Sequence, residues 1–109
     1  MATIIRQNEG TYIYSEAGVT GIRKIADIDH EIVALTLDIS AKGDPHQLPL
    51  DVTFCVIQGK GRIWIDDQPF EVISGDLVHV SAGTMRAWEN VGENPLSVLV
   101  IKRLNSICD

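Results

Sequence analysis

Basic charge is scarce in this sequence. Lysine and arginine together number 9 against 15 acidic residues, for a formal net charge of −6. Binding a phosphate backbone needs a basic face, so the balance argues against a nucleic-acid partner. Long apolar runs are missing too. No segment nears the roughly 18 consecutive apolar residues of a membrane-crossing helix. The N-terminal stretch lacks the basic-then-apolar order of a secretory signal. These absences set the expectation of a soluble, cytoplasmic protein with no membrane partner. Cysteine is limited to Cys55 and Cys108, with no CxxC spacing. Both are expected as free thiols, one on a strand and one on the C-terminal tail. A helical period is absent from every long window. A phosphate-binding loop is absent as well, because Gly59, Lys60 and Gly61 are too few and open a strand rather than a helix.

What is present is β-pattern from end to end. Residues 12–14 form a short β-prone run, and Val19 to Ile28 a second one, interrupted by Gly21. From Glu31 to Ser40 the chain alternates, with Val33, Leu35, Leu37 and Ile39 on one face and Thr36, Asp38 and Ser40 on the other. A period of two marks a half-buried strand. A turn-rich loop, residues 41–45, precedes a β-branched and aromatic run from Asp51 to Ile57. Turns at 58–61, 66–69, 74–76, 81–83 and 90–95 separate the remaining strands, the last running from Leu96 to Leu104. Roughly nine or ten short strands spaced in this way indicate an all-β sandwich or barrel. No repeat or interdomain linker interrupts residues 1–109, so one domain is expected.

Several residues in the second half fall at telling intervals. His46 precedes Leu48, Val52 and Gly59; Gly61 follows; then come Gly75, Ser81, Gly83, Arg86 and Asn90. This series resembles the two signature motifs of the cupin superfamily. Gly59, Gly61, Gly75, Gly83 and Asn90 occupy the family's glycine and asparagine landmarks. The resemblance implies a small single-domain cupin, a double-stranded β-helix or jelly-roll barrel. It also implies that His46, Leu48, Val52 and Arg86 stand where the family places two histidines, a glutamate and a third histidine around a divalent transition metal. Leucine and valine offer no lone pair, and arginine brings a fixed cation. The expectation is therefore no metal cofactor at the usual site. A substitute set of His46, His79 and Asp51 is the remaining route to one, reached if a one-residue slip turned Asp51 inward in place of Val52.

If alternation holds, Val52, Phe54 and Val56 line one wall of a pocket, Arg86 and Trp88 another, and His46 with Leu48 closes the mouth. Such a cup suits a small organic anion, with Arg86 as clamp. The competing reading is that Arg86 reaches solvent or pairs with Glu89 or Asp51, and that Trp88 is core packing. His30 and His79 read as ordinary surface histidines. Trp64 is a candidate for an interface.

Three functions are open at this point. One is a binding module for a small, anionic ligand through His46, Leu48, Val52, Phe54, Arg86 and Trp88. A second is a metal-independent isomerase or epimerase with His46 as base, Arg86 steadying the developing charge and Tyr12 or Tyr14 as partner. The third is a metalloenzyme with substitute ligands. The family resemblance further implies a homodimer, with residues 1–14 contributing a strand.

Overall fold

The computed structural model describes residues 1–104, and among these residues there are nine strands and no helix. They are β1 (Thr11–Glu16), β2 (Val19–Ala26), β3 (His30–Leu37), β4 (Val52–Gln58), β5 (Lys60–Ile65), β6 (Gln68–Ile73), β7 (Leu77–Val80), β8 (Arg86–Asn90) and β9 (Leu96–Arg103). Six of them form one sheet in the order β1-β2-β3-β9-β4-β7, and the other three form a second sheet in the order β6-β5-β8. All pairings are antiparallel. The two sheets face one another as a jelly-roll barrel. Cys108, expected on the tail, lies outside the described residues.

The tight turns follow from residues that tolerate left-handed backbone. β1 passes to β2 through Ala17 (φ 52°) and Gly18 (φ 81°), and β5 to β6 through Asp66 (φ 47°) and Asp67 (φ 70°). Two central residues with positive φ make the mirror-image hairpin turn whose twist matches that of the flanking strands. Gly59 (φ 97°) carries the chain from the large sheet to the small one. A Cβ there would stand 2.9 Å from the Pro95 carbonyl oxygen, so both backbone angle and space require glycine.

Alternation then builds the core. Val52, Phe54 and Val56 on β4, Leu96, Val98 and Val100 on β9, and Val33 and Leu37 on β3 all turn inward and are buried. Ile63 on β5 and Trp88 on β8 meet them from the small sheet. Phe54 and Trp88 pack edge to face, with ring centroids 5.4 Å apart, a favourable aromatic geometry.

The structure corrects two sequence expectations here. β3 stops at Leu37, and Ile39 is exposed rather than inward. The reason lies in Asn90. Its Nδ2 donates to the carbonyls of Leu37 and Asp38, both at 3.1 Å, while the Ala41 amide closes a turn onto the Asp38 carbonyl at 2.9 Å. Ser40 completes that turn with φ 66°. Similarly, β2 ends at Ala26 and leaves Ile28 exposed. Asp27 accepts hydrogen bonds from the amides of Asp29 and His30 and fixes the hairpin loop there.

Candidate functional site

The chain between β3 and β4 positions the site. Residues 41–48 run antiparallel to β8, extending the small sheet by one irregular strand. The His46 amide donates to the Arg86 carbonyl at 2.8 Å, and the Arg86 amide donates to the His46 carbonyl at 2.9 Å. Residues paired in this way carry their side chains on the same face of a sheet. Further along, the Gly43 amide donates to the Trp88 carbonyl, and the Asn90 amide to the Ala41 carbonyl.

Between the sheets lies a cavity of about 490 Å³. Its apolar wall comes from Val33, Leu35 and Leu37 of β3, Val100 of β9, Phe54 of β4 and the Trp88 indole. Its polar groups are His46, Arg86, Lys102, Tyr14, Glu16 and Asp44. A mostly apolar concavity with a few convergent polar groups is the usual form of a small-molecule site.

Arg86 is the unusual member. It is only 7% exposed, yet it forms no ion pair with any described residue. Glu89 is taken by Trp64 and Arg62 on the outer face, and Asp51 accepts from the Ala82 amide. The proposed pairing of Arg86 with either acid is thereby ruled out. Its guanidinium sits 5.6 Å from the Phe54 ring centroid, and one nitrogen donates to the His46 carbonyl at 3.4 Å, the long limit of such a bond. Burial pushes the guanidinium pKa down, but arginine stays protonated in proteins. Five N–H donors with one long contact leave most of the fork for something else. The Trp88 Nε1 is a second free donor, buried with no hydrogen-bond partner.

By contrast, Lys102 already has its carboxylate. Its Nζ lies 3.1 Å from Glu31, which also faces Arg23 at 3.7 Å. Burial, then the charges of Arg86 and Lys102, lower the His46 pKa. His46 is itself exposed to solvent, and the downward shift disfavours its imidazolium form. Among the described residues, no side chain hydrogen-bonds the His46 ring. Tyr14 lines the cavity, but its hydroxyl donates to Glu16 at 3.1 Å, so the expected Tyr14–His46 contact does not form. Tyr12 is exposed and outside the lining.

Of the six ligand-binding candidates, the structure brings His46, Phe54, Arg86 and Trp88 to the cavity. Leu48 and Val52 are corrections. Val52 is buried in the core, and Leu48 is half-buried against it, its carbonyl tied to the Gly83 amide. Val56 likewise packs in the core. The substitute metal set does not assemble either. Val52, not Asp51, turns inward, so the slip does not occur. His79 stands on the outer face of β7, hydrogen-bonded to Thr53 at 2.9 Å and 3.9 Å from Asp51. The four motif positions themselves supply one imidazole, two aliphatic side chains and a guanidinium. That donor set does not fit a divalent ion.

Missed in the sequence were Tyr14 as a wall residue, Lys102, Glu16 and Asp44. The signal for Lys102 was available. Val100 is inward, and two residues further a strand returns to the same face. Glu31, two residues before Val33, obeys the same rule.

Residues 35–102, more than half the chain, match the model for the cupin domain. The chain belongs to the cupin family. In sequence it is 33% identical over 46 residues to an uncharacterised protein of Methanocaldococcus jannaschii, an alignment that spans 42% of this chain and 37% of that one. Its fold is similar to KdgF from Halomonas sp., with a TM-score of 0.81 and 19% identity over 97% of each chain. It is equally similar to the polyketide cyclase RemF from Streptomyces resistomycificus, with a TM-score of 0.81 and 16% identity over 96% of this chain and 81% of that one. At such identities the likeness concerns the fold, and the chemistry has to be argued from the site.

Proposed function

We propose that this cupin binds a small organic anion in the barrel cavity, with the Arg86 guanidinium as its anchor. The supporting observation is a buried, permanently charged side chain with no carboxylate partner among the described residues, set in an apolar wall. Taking a cation out of water costs several kcal/mol unless a counter-charge meets it. A carboxylate from solution supplies that charge and accepts the two parallel N–H bonds that a guanidinium offers. The test is a melting-temperature and NMR comparison of carboxylic acids with their neutral amides. Acids should raise Tm and shift the Trp88 indole resonance, while the amides leave both unchanged. An acid panel that moves neither signal would sink the reading.

A second reading is enzymatic, and the lowered pKa of His46 favours it. An unprotonated imidazole backbone-paired to an arginine can take a proton while the guanidinium holds the negative charge that develops. RemF, similar in fold, is a polyketide cyclase, so the fold accommodates catalysis. In this reading His46→Gln abolishes turnover but preserves acid binding.

The His46 environment gives a pH prediction. With no ligand, its Hε1 resonance should titrate with a midpoint below the ordinary histidine value, because burial and the two cations disfavour the imidazolium. An anion beside Arg86 favours the imidazolium, so adding benzoate should raise that midpoint. By linkage, benzoate should bind more tightly as pH falls through the histidine range, until benzoate itself protonates. A midpoint unmoved by saturating benzoate would show that the acid does not sit beside His46.

A further inference from the structure

Arg86 accounts for one part of the cavity. A second pole lies along the same strand pair. Asp44 is two residues from His46, roughly 7 Å along an extended chain. The Gly43 amide bonds the Trp88 carbonyl at 2.9 Å, so Trp88 stands beside the Asp44 end and Arg86 beside the His46 end. Glu16 on β1 joins Asp44 in the lining. The Tyr14 hydroxyl donates to Glu16, and that bond, then desolvation and the charges of Glu16 and Asp44, hold it above its ordinary pKa. Neither carboxylate forms an ion pair with a described residue. The lining therefore holds at one end a buried cation with no ion-pair partner among the described residues, at the other two exposed carboxylates likewise outside any such ion pair, and aromatic surface from Phe54 and Trp88.

Two charges of opposite sign that ignore one another across a cavity are complementary to a ligand bearing both. We propose that the site selects a zwitterion, an extended amino acid whose carboxylate meets Arg86 and whose ammonium meets Glu16 and Asp44. The inference rests on the anion reading above and adds the second recognition element. A purely anionic ligand gains at Arg86 but meets like charge at Glu16 and Asp44. A purely cationic one loses the desolvated anchor and keeps only the exposed acidic pole. Exposed ion pairs contribute up to about 1 kcal/mol, roughly five-fold in affinity. The ammonium thus sets preference, while Arg86 sets affinity.

Three matched probes separate these parts: para-aminomethylbenzoate, para-toluate and para-methylbenzylamine. They share one ring and differ in which charges they carry. Calorimetry or NMR titration at low salt should find para-aminomethylbenzoate about five-fold tighter than para-toluate, with the amine weakest. In the Glu16→Gln/Asp44→Asn double variant, both exposed changes that leave the core intact, para-toluate should equal or overtake para-aminomethylbenzoate. A melting curve verifies that the variant is folded. Equal affinities of the two acids in the unmodified protein would overturn the zwitterion inference and leave the anion reading standing, as would a preference that survives in the double variant. Failure of both acids to bind would remove the anion reading, and this inference with it.

Discussion

Asn90→Ala should destabilise the fold by about 3 kcal/mol, seen as a Tm drop on the order of 10 °C or more. The side chain is 3% exposed and serves four backbone groups. Its Nδ2 donates to the carbonyls of Leu37, Asp38 and Asn94 at 3.1, 3.1 and 2.9 Å, and its Oδ1 accepts from the Gly92 amide at 2.9 Å. One amide therefore ends β3, shapes the loop at 91–95 and ties both to β8. Truncation leaves several buried groups unpaired, each costing about 1–3 kcal/mol where water cannot replace the bond. Asn90→Asp should be worse near neutral pH. It is isosteric, but it sets a carboxylate against three carbonyl oxygens. Burial and those dipoles would raise the pKa of the N90D carboxyl, and its protonated form is again a donor. N90D should therefore regain stability as pH falls through that raised pKa. Denaturant unfolding across pH tests both the size and the sign. A neutral-pH Tm within a few degrees of the unsubstituted protein would contradict the structural assignment of Asn90.

Asn90 also shows how far the sequence carried. Its place among the glycine landmarks was legible through the resemblance to the cupin motifs. Gly59 is the clearest case, where both φ and the Pro95 carbonyl exclude a side chain. Alternation placed Val33 and Leu37 in the core and aimed Phe54, Arg86 and Trp88 into the barrel. It misplaced Ile39 because period-two reasoning has no knowledge of where a partner strand stops, and the stop depends on a side chain 51 positions away in sequence, Asn90 to Ile39. Leu48 and Val52 were misassigned for a related reason. Pointing inward is a local property, whereas facing open volume depends on what the opposite sheet contributes at that height. Glu16 and Asp44 sit on an edge strand and an irregular segment, where no periodic signal exists to assign a face.

The Arg86 anchor predicts opposite changes in binding and stability from one substitution. In Arg86→Met, affinity for an aromatic acid such as benzoate should fall by about 100-fold, since a desolvated, bidentate charge pair contributes a few kcal/mol. The ligand-free protein should hold its stability or gain about 1 kcal/mol, a rise of roughly 4 °C in Tm. The gain follows from replacing a buried cation that has one long hydrogen bond and no carboxylate with an apolar chain of similar reach. The Phe54 ring beside it is apolar, as are Val100 and Leu35 elsewhere in the cavity lining. Arg86→Lys separates charge from geometry. A lysine keeps the cation but loses the fork, so binding should weaken by about 10-fold rather than vanish. An arginine kept for the fold behaves in the opposite way. Its removal would uncover the Phe54 face and remove the second, longer bond to the His46 carbonyl, and Arg86→Met would lower Tm without any selective effect on acids over amides. A variant that melts higher and no longer distinguishes benzoate from benzamide would identify Arg86 as a residue held in the core, at a cost to stability, for the sake of an anion that comes from outside.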